Sequence, residues 1–207
     1  SLQQFGFVHD TEVGKSGFIT ALYIVFVPII SLFLGRRGSP LLWAAVALSL
    51  VGLWFLCIPP EGFTIAAGDL FVLACAVVFS LHILVIGRYV LLVDAVELSM
   101  MQFFCGSILA FFAMLALESP TWIGWQTALP AMLWAGIMSN GIAYTLQIVG
   151  QRGMNDTTSS LILSLESVFS VISGWLILNE VLSVREGLGC VLMAAAVVLA
   201  QLHGNKK

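Results

Sequence analysis

Glu166 stands near the middle of an apolar stretch, residues 158–178, eight positions in from Thr158. An ionised carboxylate at the centre of a membrane span costs roughly 2.5–3.5 kcal/mol on insertion scales. Such a residue is expected to face a bundle interior and to be protonated or paired. It could carry a proton or hold a substrate amine. A structural carboxyl bonded to helix ends or hydroxyls across a bundle fits the same position. Ser159, Ser170 and Ser173 share its face at helical spacing. Ser160, Ser164, Ser167 and Gly174 form the neighbouring stripe, where small side chains let helices approach closely. Cavity hydroxyls and plain packing both remain open for these serines.

A second polar constellation lies in residues 129–149. Asn140, Tyr144 and Gln147 stand at i, i+4 and i+7, which puts three polar groups on one helical face. Lipid penalises that arrangement, so the face lines a cavity or bonds to another helix. His82, with Ser80 nearby, and Gln102 are the remaining mid-span candidates. His82 is a proton relay or a satisfied hydrogen-bonding residue, and Gln102 a substrate contact or an interhelix bond. Pro28 is expected to kink the stretch 16–34 and free a carbonyl, as a gate hinge or a static bend. Trp122 and Trp125 suit an interfacial aromatic belt.

The elements that must position these groups follow from composition. Of 207 residues, 60% are hydrophobic and only 9% charged, against about 25% charged in an ordinary soluble domain. Mean hydropathy is +1.05. So few charges could not cover a soluble surface. Net charge is −3 and no basic patch is present, which excludes nucleic acid as a partner. The predicted fold class is an all-α integral membrane protein with lipid as its solvent. Seven stretches are long enough to span, at about 16–34, 41–58, 69–87, 97–117, 129–149, 158–178 and 186–202. Alternation of period two is missing, which argues against a β-barrel.

Cys57, Cys75, Cys105 and Cys190 lie in apolar runs, none at metal-ligand or redox spacing, and read as packing residues. Neither a metal nor a cofactor is expected. An intramembrane enzyme would need a nucleophile with a base or a metal cluster, and neither Gly-x-Ser-x-Gly nor His-Glu-x-x-His occurs. A phosphate-binding loop is missing too: Gly14-Lys15-Ser16 lacks the first glycine at the required spacing. A non-transporting membrane scaffold is a further alternative.

Charge asymmetry sets the expected orientation. Alternate loops divide Arg36, Arg37, Arg88, Arg152, Lys206 and Lys207 from Lys15 and Arg185, six against two. The positive-inside rule then puts the C-terminus in the cytoplasm of a multi-pass protein of the plasma membrane, the inner membrane of a bacterium.

The sequence also repeats. Residues 22–31 parallel 165–174 at an offset of 143, and 2–6 parallel 146–150 at an offset of 144. Tyr23 aligns with Glu166. Five spans separate the copies, so an odd count inverts one against the other. Inverted repeats are a transporter signature, with the substrate site between them. Residues 1–63 then read as the end of a first copy (two helices) and 64–207 as a complete five-helix second copy. The chain begins Ser1-Leu2-Gln3-Gln4, like the tail of a hydrophobic helix. Matching halves would place roughly 75 residues, three helices, ahead of it.

Residues 156–180 resemble the ninth helix of EamA-type carriers of the drug/metabolite transporter superfamily. That helix typically reads Leu-Glu-Pro-Val-Phe, then a Gly-Trp step and a closing Leu-Gly-Glu; here Ser167 replaces the Pro and Asn179 the Gly. Residues 14–28 resemble the fourth helix and 136–144 the eighth. The resemblance implies ten helices in two inverted five-helix repeats around a central cavity. It also implies transport of small metabolites, often amino acids, driven by a gradient or by exchange. A small-molecule substrate, a coupling proton and the bilayer are the expected partners, and a homodimer is compatible.

Overall fold

The computed structural model describes residues 3, 6, 13–36, 38–58, 67–117, 122–178 and 183–204. They are helical, with no strand among them: α1 (Val13–Ala21), α2 (Tyr23–Phe33), α3 (Pro40–Cys57), α4 (Gly68–Tyr89), α5 (Ala95–Leu117), α6 (Trp122–Trp134), a π-helical segment (Ala135–Ala143), α7 (Tyr144–Gln151), α8 (Asp156–Leu163), α9 (Leu165–Leu178) and α10 (Val184–Gly204). The protein is an all-α integral membrane protein.

Six spans among the described residues are long and apolar enough to cross a bilayer: Lys15–Phe33, Pro40–Cys57, Gly68–Tyr89, Ala95–Ala116, Asp156–Ile177 and Val184–Leu202. Each falls within two residues of a predicted stretch. The remaining stretch, 129–149, is not one regular helix. It runs through α6, the π-helical segment and α7 without a gap. Gly141 sits one π-turn after Gly136, and a Cβ there would lie 3.3 Å from the Gly136 carbonyl oxygen. Glycine therefore suits the wider turn. The Tyr144 N–H closes it by donating to the Ser139 carbonyl.

The described chain forms two compact units, residues 1–85 with 155–207, and residues 86–154. In the first, Ser39 starts α3: its hydroxyl accepts from the Leu42 N–H at 3.2 Å, and Pro40 occupies the first helical position. The helix then packs along α10. Leu56 meets Gly189 and Gly52 meets Met193, while Leu42, Ala45 and Val46 cluster with Val197 and Ala200, so the two helices run antiparallel. A larger core joins Tyr23, Ile24 and Val27 of α2 to Leu53, Ile83, Leu84, Val168 and Met193.

Two spans of this unit are interrupted. α1 gives way to α2 at Leu22 (φ −59°, ψ −9°), and α8 to α9 at Ser164 (φ −63°, ψ −15°). Both turns lean toward 3₁₀ geometry. Pro28 does not interrupt its helix; α2 continues through it, and the break lies six residues earlier. The Schellman motif ends α2: Gly35 takes φ +79°, its N–H donates to the Leu32 carbonyl, and the Arg36 N–H donates to the Ser31 carbonyl.

In the second unit, Asp94 starts α5 by accepting from the Val96 N–H at 2.9 Å. Ile86, Val90, Ala95 and Ile148 form its apolar cluster.

Candidate functional site

Within the first unit, the two helix breaks carry Tyr23 and Glu166. Tyr23 is the first residue of α2 and is 4% exposed. Its ring meets Phe79 edge-on at 5.1 Å, and Phe79 stacks on His82 at 5.9 Å. An aromatic series thus links two of the predicted residues, Tyr23 and His82, through one the sequence reading passed over. Phe79 and His82 stand at i and i+3 on α4, the spacing from which the stack follows. Glu166 is the second residue of α9. Its side chain is exposed among the described residues rather than covered by the core. At mid-span such a group is tolerated only beside water or protein, because lipid penalises it.

The serine stripe divides. Ser160 and Ser164 are buried, and their hydroxyls donate to the Thr157 and Leu161 carbonyls of their own helix at 2.8 and 2.7 Å. These two are satisfied packing residues. Ser170 and Ser173 are exposed on α9. Ser80 is likewise spent on its own helix, bonding the Ala76 carbonyl at 2.7 Å.

Within the second unit, α5 and α7 bring together the other candidates. The Thr145 hydroxyl donates to the Gly141 carbonyl at 2.6 Å, so the Ser99 hydroxyl, also 2.6 Å from it, must donate to Thr145. Phe103 packs edge-on to Tyr144 at 5.8 Å. Ser99, Gln102 and Phe103 stand at i, i+3 and i+4, so half-buried Gln102 shares the face that meets α7. Gln147 is half-buried, and its buried Nε2 has no hydrogen-bond partner among the described residues. Asn140 is exposed in the π-helical segment. The i, i+4 spacing of Asn140 and Tyr144 therefore spans a π-to-α junction, not the regular α-helix that the spacing argument supposed.

Two ion pairs among the described residues involve Lys15 and Arg36, cations that the sequence marks only through their bearing on orientation. Lys15 Nζ lies 3.0 Å from Asp69 Oδ2, with both side chains buried. The Arg36 guanidinium donates to the Asp156 carboxylate. Sequence separations of 54 and 120 residues hide such pairs from any local pattern. Among the described residues no group of three metal-ligating side chains occurs.

Broken apolar spans with ionisable and amide groups at their breaks and junctions define a polytopic helical membrane protein. The EamA-like transporter family model matches residues 66–202, and the chain belongs to that family. An uncharacterized transporter of Archaeoglobus fulgidus is 31% identical over 203 residues, which cover 93% of this chain and 62% of the archaeal protein. The chain thus spans less than two thirds of that relative's length. A crystal structure superposes with a TM-score of 0.81 at 21% identity, covering 99% of this chain and 72% of its own, and shares the fold.

Proposed function

We propose that the chain forms part of a ten-helix secondary carrier that moves a small organic metabolite, an amino acid or similar solute, by alternating access, most simply as an exporter. The observation that carries this reading is the pair of breaks at Leu22 and Ser164. They lie 142 residues apart, within two of the sequence repeat, and their dihedrals agree within about six degrees. The same local turn recurs where each copy enters its half-helix, and Tyr23 and Glu166 follow it. Discontinuous helices near the midplane are how carriers of inverted design hold solutes and coupling ions. Residues 1–63 are then the last two helices of a first repeat and 64–207 a complete second one.

The ion pairs support the topology. Four apolar helical stretches separate Arg36 from Asp156, and the pair returns the chain to the end it left. An even number of crossings does this, so the stretch through the π-helical segment crosses as well. The positive-inside bias puts that end, and the C-terminus, in the cytoplasm of the plasma membrane.

Glu166 carries the coupling proton or the substrate amine, with Tyr23, His82 and Ser170 of the same unit as polar lining and Pro28 as a bend point; Asn140, Tyr144, Gln147 and Gln102 are the substrate-pathway residues of the second unit. The test is metabolite accumulation with the full-length parent against an inactive control. Glu166→Gln should abolish pH-dependent flux, and wild-type flux in that variant removes Glu166 from the mechanism. Reporter fusions should put Arg88 and Arg152 in the cytoplasm; an external Arg152 overturns the topology.

A further inference from the structure

Two ion pairs bracket one broken helix. Lys15 lies in α1, and its pair with Asp69 is dry: the side chains are 4% and 10% exposed. Arg36 lies just past the end of α2, placed by the Schellman motif, and pairs with Asp156, the first residue of α8. Here the acid is 7% exposed but the arginine 49%. The span Lys15–Phe33 is 19 residues long, about 28 Å of helix, close to the hydrocarbon thickness of a bilayer. The pairs therefore sit at opposite membrane faces. In each, the cation comes from residues ahead of the family-matched segment and the acid from within it. Both acids lie in the first turn of their helix, where the helix dipole favours an anion.

We propose that Lys15–Asp69 and Arg36–Asp156 are the two latches of the transport cycle, one at each face. The idea rests on the carrier reading. A solute reaches the interior from one face only when the pair there parts, while the opposite pair stays formed. Both are formed in this structure. The latches are unequal for a physical reason. Parting Lys15 from Asp69 separates opposite charges held out of water, and breaking a buried pair is costly. Arg36 is already half in solvent, and exposed pairs contribute little. The Arg36 face therefore opens more readily than the Lys15 face.

The test places a single cysteine at the exposed α9 position Ser170, Ser170→Cys with every other cysteine replaced by Ala, in the full-length transporter. A membrane-impermeant maleimide is applied to right-side-out and to inverted vesicles. Asp69→Lys, which sets two cations together, should raise labelling from the Lys15 face by more than about tenfold and leave the other face unchanged. Asp156→Lys should raise labelling from the Arg36 face only, by about fivefold or less. The swapped pairs, Lys15→Asp/Asp69→Lys and Arg36→Asp/Asp156→Arg, should return both rates to the parent value. Unchanged rates, equal rises at both faces, or swaps that fail to restore would overturn the proposal. Should a reversal variant not reach the membrane, Lys15→Cys/Asp69→Cys is bridged with a bismaleimide before Ser170→Cys is probed. Labelling from the Lys15 face should then cease, and continued labelling refutes the latch. Absent solute flux with these labelling patterns intact would sink the carrier reading and spare the latches; flux without the patterns does the reverse.

Discussion

Gly52 and Gly189 meet backbone to backbone where α3 crosses α10. A Cβ on Gly189 would lie 2.7 Å from the Gly52 carbonyl oxygen, and one on Gly52 would lie 2.9 Å from the Gly189 carbonyl oxygen. Neither carbonyl can swing aside as a flexible side chain would. In a membrane, such close approach of small residues supplies the van der Waals contact that apolar burial cannot. Gly189→Leu is expected to force the helices apart and lower stability by about 1–3 kcal/mol or more. Thermal unfolding in detergent checks this, with Gly187→Ala as control because a Cβ there meets nothing within 4 Å. Equal melting of the two variants would show that the crossing tolerates separation.

The Ser99–Thr145 pair offers a cleaner energetic test. Thr145→Val keeps the shape but strips the acceptor from Ser99, which is 3% exposed. A buried hydroxyl left without a partner costs roughly 1–3 kcal/mol. Ser99→Ala/Thr145→Val removes both groups and should recover part of that loss. A double-mutant cycle in which the two changes simply add would mean that the hydroxyls do not interact.

The π-helical segment predicts a different response from its two glycines. Gly141→Ala presses a Cβ 3.3 Å from the Gly136 carbonyl, whereas a Cβ at Gly136 meets nothing. Amide hydrogen exchange across Ala135–Ala143 should therefore quicken in Gly141→Ala and not in Gly136→Ala. Matching exchange in both variants would assign the wide turn to some other cause.

Most spans were legible because apolar run length alone fixes them in lipid; 158–178 anticipates Asp156–Ile177, and 41–58 anticipates Pro40–Cys57. The breaks were less legible. Pro28 carries the obvious breaking signal, a missing N–H, yet the chain yields at Leu22 and Ser164, which carry none. Both interrupted spans contribute to one core, Tyr23 and Ile24 from α2 and Val168 from α9 together with Leu53 and Met193, a long-range arrangement that no local signal announces. The π-helical segment hid for a related reason, as spacing arguments presuppose 3.6 residues per turn. Of the candidate residues, Tyr144 and Gln102 emerged on elements that pack together, Tyr23 and His82 emerged joined by Phe79, and Glu166 emerged exposed. Charge pairing between residues 36 and 156 leaves no local trace at all.

Gly35 connects backbone chemistry to the ion pair beyond it. Its φ of +79° lies in the left-handed region, which costs an ordinary L residue about 1–2 kcal/mol. That turn lets the Arg36 N–H reach the Ser31 carbonyl at 2.9 Å and delivers the Arg36 side chain to Asp156. Gly35→Ala should lower stability by about that amount and should weaken the coupling between Arg36 and Asp156. Gly35→Asn should do neither to the same degree, because asparagine tolerates the left-handed conformation at helix C-termini. The measurement is a double-mutant cycle for Arg36→Gln and Asp156→Asn in each background, read by thermal unfolding. Coupling that persists undiminished in Gly35→Ala would mean that Arg36 reaches its partner without the turn, and that the helix end serves only to stop α2.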